Sequence, residues 1–154
     1  MILKNVNFNV TFAATSGLPY TATSQPVQQG SADRAPIKGT PWGSRLPWQL
    51  TSTLNVQKNF PIKWNDKETG KSKGAYFQVY VYTTNLFNRR NINGVWPYTG
   101  SPESDGFLNS PKGQQALRTQ LDAAAYQYYY NTAVNNPGNY QAPRFMRLGA
   151  RMYF

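Results

Sequence analysis

The sequence predicts an all-β fold of about four antiparallel strands with one helix in a long loop, and three observations carry that reading. First, the last eleven residues, Arg144-Phe-Met-Arg-Leu-Gly-Ala-Arg-Met-Tyr-Phe154, alternate apolar and polar side chains. A period of two puts Met146, Leu148, Ala150, Met152 and Phe154 on one side of a strand, with Phe145, Arg147, Gly149, Arg151 and Tyr153 on the other. Second, aromatic residues make up 15% of the chain and charged residues only 14%, against about 25% charged in ordinary soluble domains. Third, no run approaches the ~18 apolar residues of a membrane-crossing helix, so any crossing must use strands of about 9–11 residues. Such alternation suits a half-buried soluble sheet, or the wall of a transmembrane antiparallel β-barrel with one side to lipid and the other to a wet lumen.

The first strand is expected near residues 4–16, where Val6, Phe8, Val10, Phe12 and Ala14 oppose Asn5, Asn7, Asn9, Thr11 and Thr15. Residues 21–44, rich in Gly, Pro, Ser and Gln and without a period, read as a long loop. A second strand is expected near 45–60, with Leu46, Trp48, Leu50, Leu54 and Val56 opposed to Gln49, Thr51, Thr53, Asn55 and Gln57. The charged, glycine-bearing stretch 61–74 reads as a hairpin turn.

A third strand near 75–90 sets Phe77, Val79 and Val81 against Tyr76, Gln78, Tyr80 and Tyr82, and the last strand occupies 144–154. Between them, 91–143 is a very long loop with one expected helix. Ser110-Pro111 supplies its cap and first-turn proline, and Leu117, Leu121, Ala124 and Tyr128 recur at helical spacing before Asn135-Asn-Pro-Gly138 stops it.

Composition narrows the chemistry. The 154 residues suit one domain, and the absence of both cysteine and histidine removes disulfides, thiolate metal sites and the commonest general base. No cofactor is expected, and the chain is read as no enzyme. The formal charge of +10 would suit nucleic acid if the cations clustered, but lysines gather between Lys63 and Lys73 while arginines lie at 89–90 and 144–151. The start, Met1-Ile-Leu-Lys-Asn-Val-Asn-Phe, lacks the pattern of a secretory signal, so the chain reads as cytoplasmic or as a mature or excised piece of something longer.

Loop lengths have a parity. A long loop, a short turn and a very long loop match the short periplasmic turns and longer extracellular loops of outer-membrane barrels. With Phe154 at the periplasmic rim, the 61–74 turn falls in the periplasm and both long loops fall outside.

Four stretches carry a family likeness: Ser44-Arg-Leu-Pro-Trp-Gln49 entering a strand, Thr84-Asn-Leu-Phe-Asn88 leaving one, Thr99-Gly-Ser-Pro-Glu-Ser-Asp-Gly-Phe-Leu108 in a loop, and Gly138 to Phe154. Together they resemble the C-terminal end of TonB-dependent outer-membrane receptors, nearest to the large receptors of Bacteroidetes-type bacteria, over essentially the whole chain. The resemblance implies a barrel of about 22 strands filled by a plug, residing in the bacterial outer membrane and importing scarce nutrients with energy from the inner membrane. Four strands cannot close alone. The implied partners are therefore the remaining strands and plug of the barrel, in the same or another chain, together with lipid or lipopolysaccharide, the barrel-assembly machinery and a surface lipoprotein over the extracellular loops.

Site residues follow, each with a plainer counterpart. Phe154, with Met152 and Tyr153, reads as the signal for barrel assembly, since an alternating edge can pair with an open edge of the machine. The counterpart is a soluble strand that ends in Phe. Arg147 and Arg151 are lumen-facing candidates for an anionic solute or the plug, or are paired or solvated cations; Arg89-Arg90 reads as lipopolysaccharide-facing or solvated. Trp48 and Trp64 suit an interfacial belt, with Trp42 and Trp96 open between belt and sugar stacking. Tyr126, Tyr128, Tyr129 and Tyr130, with Trp96, form a candidate ligand or partner loop, or merely pack that loop. Glu103 and Asp105 read as a solvated loop, lacking the ligands for calcium and the paired geometry of a glycosidase. Besides nutrient uptake, two other functions fit: a structural barrel subunit of a secretion or assembly complex, and a soluble basic β-domain binding nucleic acid.

Overall fold

The computed structural model describes residues 4–65 and 72–154. They divide into two compact units, one formed by Met1–Ala14, Leu50–Arg89 and Ala142–Phe154, the other by Thr15–Gln49 and Arg90–Gln141.

The first unit is an antiparallel sheet. Strands β1 (Val6–Thr15), β4 (Gln49–Asn65), β5 (Ser72–Thr84) and β6 (Phe145–Tyr153) lie side by side in the order β1-β4-β5-β6. β5 pairs with β4 through Val56↔Val81 and Phe60↔Phe77, and with β6 through Val81↔Leu148 and Phe77↔Met152. Those registers carry one apolar stripe across the strands, because residues directly opposite share a face. The other face collects Asn55, Gln57 and Asn59, then Gln78, Tyr80 and Tyr82, then Arg147, Gly149 and Arg151.

Strand limits differ from expectation at three places. Residues 61–65 and 72–74 continue β4 and β5, so the expected 61–74 turn shrinks; residues 66–71 lie outside the described residues. The apolar alternation runs on through Phe60, Ile62 and Trp64, and Pro61 does not interrupt it. Asn59 N donates to Asn5 O at 2.9 Å, and two residues on the Pro61 nitrogen faces that same side, so pairing with β5 loses no donor. Strand β5 ends at Thr84 and does not reach 90, because Asn85 and Asn88 adopt left-handed backbone with φ of 51° and 52°, which asparagine tolerates better than most residues. Within that turn the Asn85 side chain accepts from Arg89 N and donates to Arg89 O, both at 2.9 Å, while Asn88 Oδ1 accepts from Arg144 N at 3.0 Å. The Asn-Leu-Phe-Asn element thus stops one strand and tethers the start of the last. Finally, β4 begins at Gln49, because 44–45 belongs to a separate short hairpin.

That hairpin, β2 (Pro19–Tyr20) with β3 (Ser44–Arg45), opens the second unit. A Cβ on Gly17 would stand 1.8 Å from Leu46 O, so only glycine permits the approach. The single expected helix is two: α1 (Pro111–Arg118) and α2 (Ala123–Val134). Ser110 caps α1 as expected, accepting from Gly113 N at 3.1 Å. Asp122 caps α2, accepting from Ala125 N at 2.9 Å, so the segment 119–122 ends one helix and starts another. Leu121, Ala124 and Tyr128 are therefore exposed, Leu121 fully at 110%. The buried face of α2 is instead Tyr126, Tyr130 and Val134, packed with Phe107, Leu108, Ala116 and Trp96.

Candidate functional site

On the polar face of the sheet, Gly149 sits opposite Tyr80. The tyrosine ring lies so close over it that a Cβ there would be 2.4 Å from the ring, an aromatic covering a glycine in a neighbouring strand. The Arg151 guanidinium stacks on Tyr80 at 4.7 Å, and Arg147 lies 5.6 Å from Phe145. Both expected arginines thus share the polar face, held by aromatics; β1, β4, β5 and β6 contain no Asp or Glu at all. Gln78 is buried among amides, donating to Gln57 Oε1 at 3.1 Å and Asn59 Oδ1 at 2.9 Å.

The apolar face is uncovered among the described residues. Leu148 is 75% exposed, and Phe8, Phe12, Met146 and Met152 are more than half exposed. Polar side chains interrupt it: Lys58, opposite Val79, reaches over the Phe60 ring at 5.2 Å, and the Thr83 hydroxyl, fully buried, has no hydrogen-bond partner among the described residues. Of the terminal residues, Met152 lies on this face, Tyr153 stacks on Tyr76 at 4.6 Å, and Phe154 follows the strand, exposed. Trp64 extends the apolar stripe, and Trp48 is exposed in the second unit.

The second unit separates the expected tyrosine cluster into two roles. Tyr130 is buried and hydrogen-bonded: its hydroxyl donates to Asp105 Oδ2 and accepts from Gln29 N at 3.0 Å. Asp105 Oδ1 accepts from Phe107 N at 3.0 Å. Burial, then the Asp105 hydrogen bond, hold the Tyr130 hydroxyl well above its ordinary pKa of about 10. Asp105 is only 4% exposed, which corrects the solvated-loop reading: the carboxylate holds the Tyr130 hydroxyl, which joins the 15–49 segment to the 90–141 segment through Gln29 N. Glu103 is exposed but not idle, accepting from Tyr140 OH at 2.7 Å; that bond raises the Tyr140 pKa.

Tyr126 stacks on Tyr130 at 6.0 Å, and Trp96 donates from Nε1 to Val134 O at 3.3 Å. Both serve packing. Tyr128 and Tyr129, 70% and 71% exposed and edge-to-face at 5.7 Å, lie outside that packing. A cleft of about 710 Å³ opens in the same unit, lined by Ser24, Gln25, Tyr98, Thr99, Ser104 and Lys112 among others. That size suits a small solute, and its lining is hydroxyl- and amide-rich.

Several structural anchors are missed from the sequence. Asn91, buried, donates to Gln141 Oε1 at 2.9 Å, and Gln141 in turn donates to Gln49 Oε1 at 2.9 Å. With the Ile92↔Tyr140 bridge this closes the base of the 91–141 excursion. Neutral amides fifty and ninety positions apart give no local signal. Among the described residues no group of three His, Cys, Asp or Glu lies close enough to hold a metal ion, and no helix is long and apolar enough to cross a membrane. Comparison with family models, curated proteins and solved structures finds no match to this chain.

Proposed function

We propose that this chain forms wall and extracellular loops of a TonB-dependent outer-membrane receptor, a transporter for nutrient uptake. The observation that carries the reading is the pairing register, which gathers one mostly apolar face, broken by Lys58 between Val56 and Phe60, and one polar, carboxylate-free face from strands far apart in sequence. Lipid satisfies the first and a watery lumen the second. Strands β1 and β6 end the sheet and each has an unpaired outer edge among the described residues. In lipid every unsatisfied backbone group costs several kcal/mol, so both edges require further strands. The remainder of a large barrel supplies them.

The chain has no cysteine, so single cysteines report their own surroundings. In the assembled protein in vesicles, Leu148→Cys carrying a fluorophore is expected to be quenched by brominated lipid, and Arg147→Cys to be labelled by a water-soluble maleimide. The opposite pattern would reverse the faces and end the proposal. Loss of uptake when the energy supply is collapsed separates a transporter from a barrel that only serves as scaffold.

A further inference from the structure

We infer a site for a phosphate-headed membrane lipid on the apolar face, in which Phe12, Leu50 and Phe87 take an acyl chain and Arg89 takes the phosphate. The inference rests on the membrane-spanning reading above. It starts from a concavity of about 650 Å³ lined by these four residues with Ala13, Ala14, Thr51 and Ser52. Here Ala14 and Ser52 are small, and they leave a floor between the rings of Phe12 and Phe87, which stand 6.0 Å apart and 16° from parallel.

The far wall is fixed by backbone. Leu86 N donates to Ser52 O at 3.1 Å, and Asn88 N to Asn85 O at 2.8 Å, within the left-handed Asn85 and Asn88 turn. Phe87 is thereby presented at the end of β5, 70% exposed, without support from a core. The same turn sets Arg89, whose backbone N–H is held by Asn85 Oδ1 at 2.9 Å. Its guanidinium has no carboxylate partner among the described residues, and the nearby strands contain none.

An apolar groove ending in an unneutralised guanidinium matches an amphiphile with an apolar tail and an anionic head. Guanidinium binds phosphate oxygens bidentately, and more strongly where water is scarce. An uncharged lipid would fill the groove and leave the cation unmatched. A free anion would match the cation and leave both phenylalanines bare.

The test uses the assembled barrel that contains this chain, in detergent micelles doped with phosphatidic acid or with diacylglycerol of the same chains, retained lipid being counted by native mass spectrometry. Phosphatidic acid is expected to bind about tenfold more tightly. Arg89→Gln removes that preference and keeps diacylglycerol binding, which also shows that the variant is folded. Phe87→Ala weakens both lipids. Arg118→Gln, on α1, changes neither. Equal binding of the two lipids by the unaltered protein, a preference that survives Arg89→Gln, or the same loss with Arg118→Gln would overturn the site. So would displacement by inorganic phosphate alone. Brominated-lipid quenching at Leu148→Cys is read in parallel: if quenching persists while the lipid preference is absent, only the site falls; if quenching is absent, the membrane reading falls with it.

Discussion

Replacing Tyr130 by Phe removes one oxygen and nothing else from the packing, since the ring still meets Phe107 at 5.6 Å and Tyr126 at 6.0 Å. That oxygen joins two segments. It donates to Asp105, 25 positions earlier in sequence, and accepts from Gln29 N, 101 positions earlier. A hydrogen bond to a charged group contributes about 1.5–3 kcal/mol, and the Gln29 donor, half-shielded, loses its acceptor as well, so Tyr130→Phe is expected to cost about 2–4 kcal/mol. Asp105→Asn keeps an oxygen for Phe107 N and weakens the bond to Tyr130, so in that background Tyr130→Phe should cost only about 1 kcal/mol. The cycle therefore predicts a coupling of about 1–3 kcal/mol between two residues that are not neighbours in sequence. Unfolding of the loop unit, followed by hydrogen exchange at the Gln29 and Phe107 amides, reads it directly: Tyr130→Phe should speed exchange at Gln29 far more than at Phe107, which keeps Asp105. A change below about 0.5 kcal/mol with Gln29 still protected would show that this clasp does not hold the two segments together.

The same hydroxyl sets a pH limit. Its raised pKa means the folded unit keeps the proton after the unfolded chain has lost it, so its stabilisation is full below pH about 10 and falls above it by at most about 1.4 kcal/mol per pH unit. Thermal midpoints between pH 9 and 11 should fall more gently in Tyr130→Phe, and equal slopes would refute this. Gly149→Ala puts a Cβ 2.4 Å from the Tyr80 ring and displaces it from Arg151; a loss of about 1 kcal/mol is expected, vanishing in a Tyr80→Ala background, as a denaturant double-mutant cycle would report. Thr83→Val deletes a buried hydroxyl without a partner, so it should be neutral or stabilising by about 1 kcal/mol, and a lowered unfolding midpoint would mean that the hydroxyl is in use.

What the sequence made legible was the faces. Large apolar residues at period two identify the apolar sides of the strands that hold Phe8, Val56 and Leu148, whereas tyrosines opposite Phe77, Val79 and Val81 leave the third strand's facing open, and the pairing places Val81 with Val56 and Leu148. Strand limits were less legible, because they depend on which side a single nitrogen points: Pro61 looks like a break until its neighbour Asn59 is seen bonded toward β1. The helix split was readable in principle. Asp122 is a good cap, and three alanines follow it, but Leu117 and Leu121 at spacing four favoured one longer helix. The burial of Asp105 was not readable at all, since what compensates its carboxylate is a tyrosine on another element. Asparagine pairs such as Asn85 and Asn88 offered a signal that propensity alone does not use: after a strand, side chains that tolerate left-handed backbone and bond it mark a stop.

Charge placement separates a barrel wall from a soluble sheet more sharply than hydropathy does. The chain has six acidic residues, and none lies in β1, β4, β5 or β6. Soluble sheets protect their edges with charges of either sign, and cover or break up an apolar face larger than a few hundred Å². Here Leu148, Met146 and Met152 stand exposed on β6, and β6 is itself an edge strand. A second sheet packed over the stripe would cover those side chains and still leave both edges open. Added strands alone would satisfy the edges and extend the apolar surface further. The proposed barrel, an apolar environment combined with strands that continue around both sides, would meet the two demands together. Arg147 and Arg151 then keep water or an anionic neighbour on the opposite face, where Tyr80 and Phe145 already hold them.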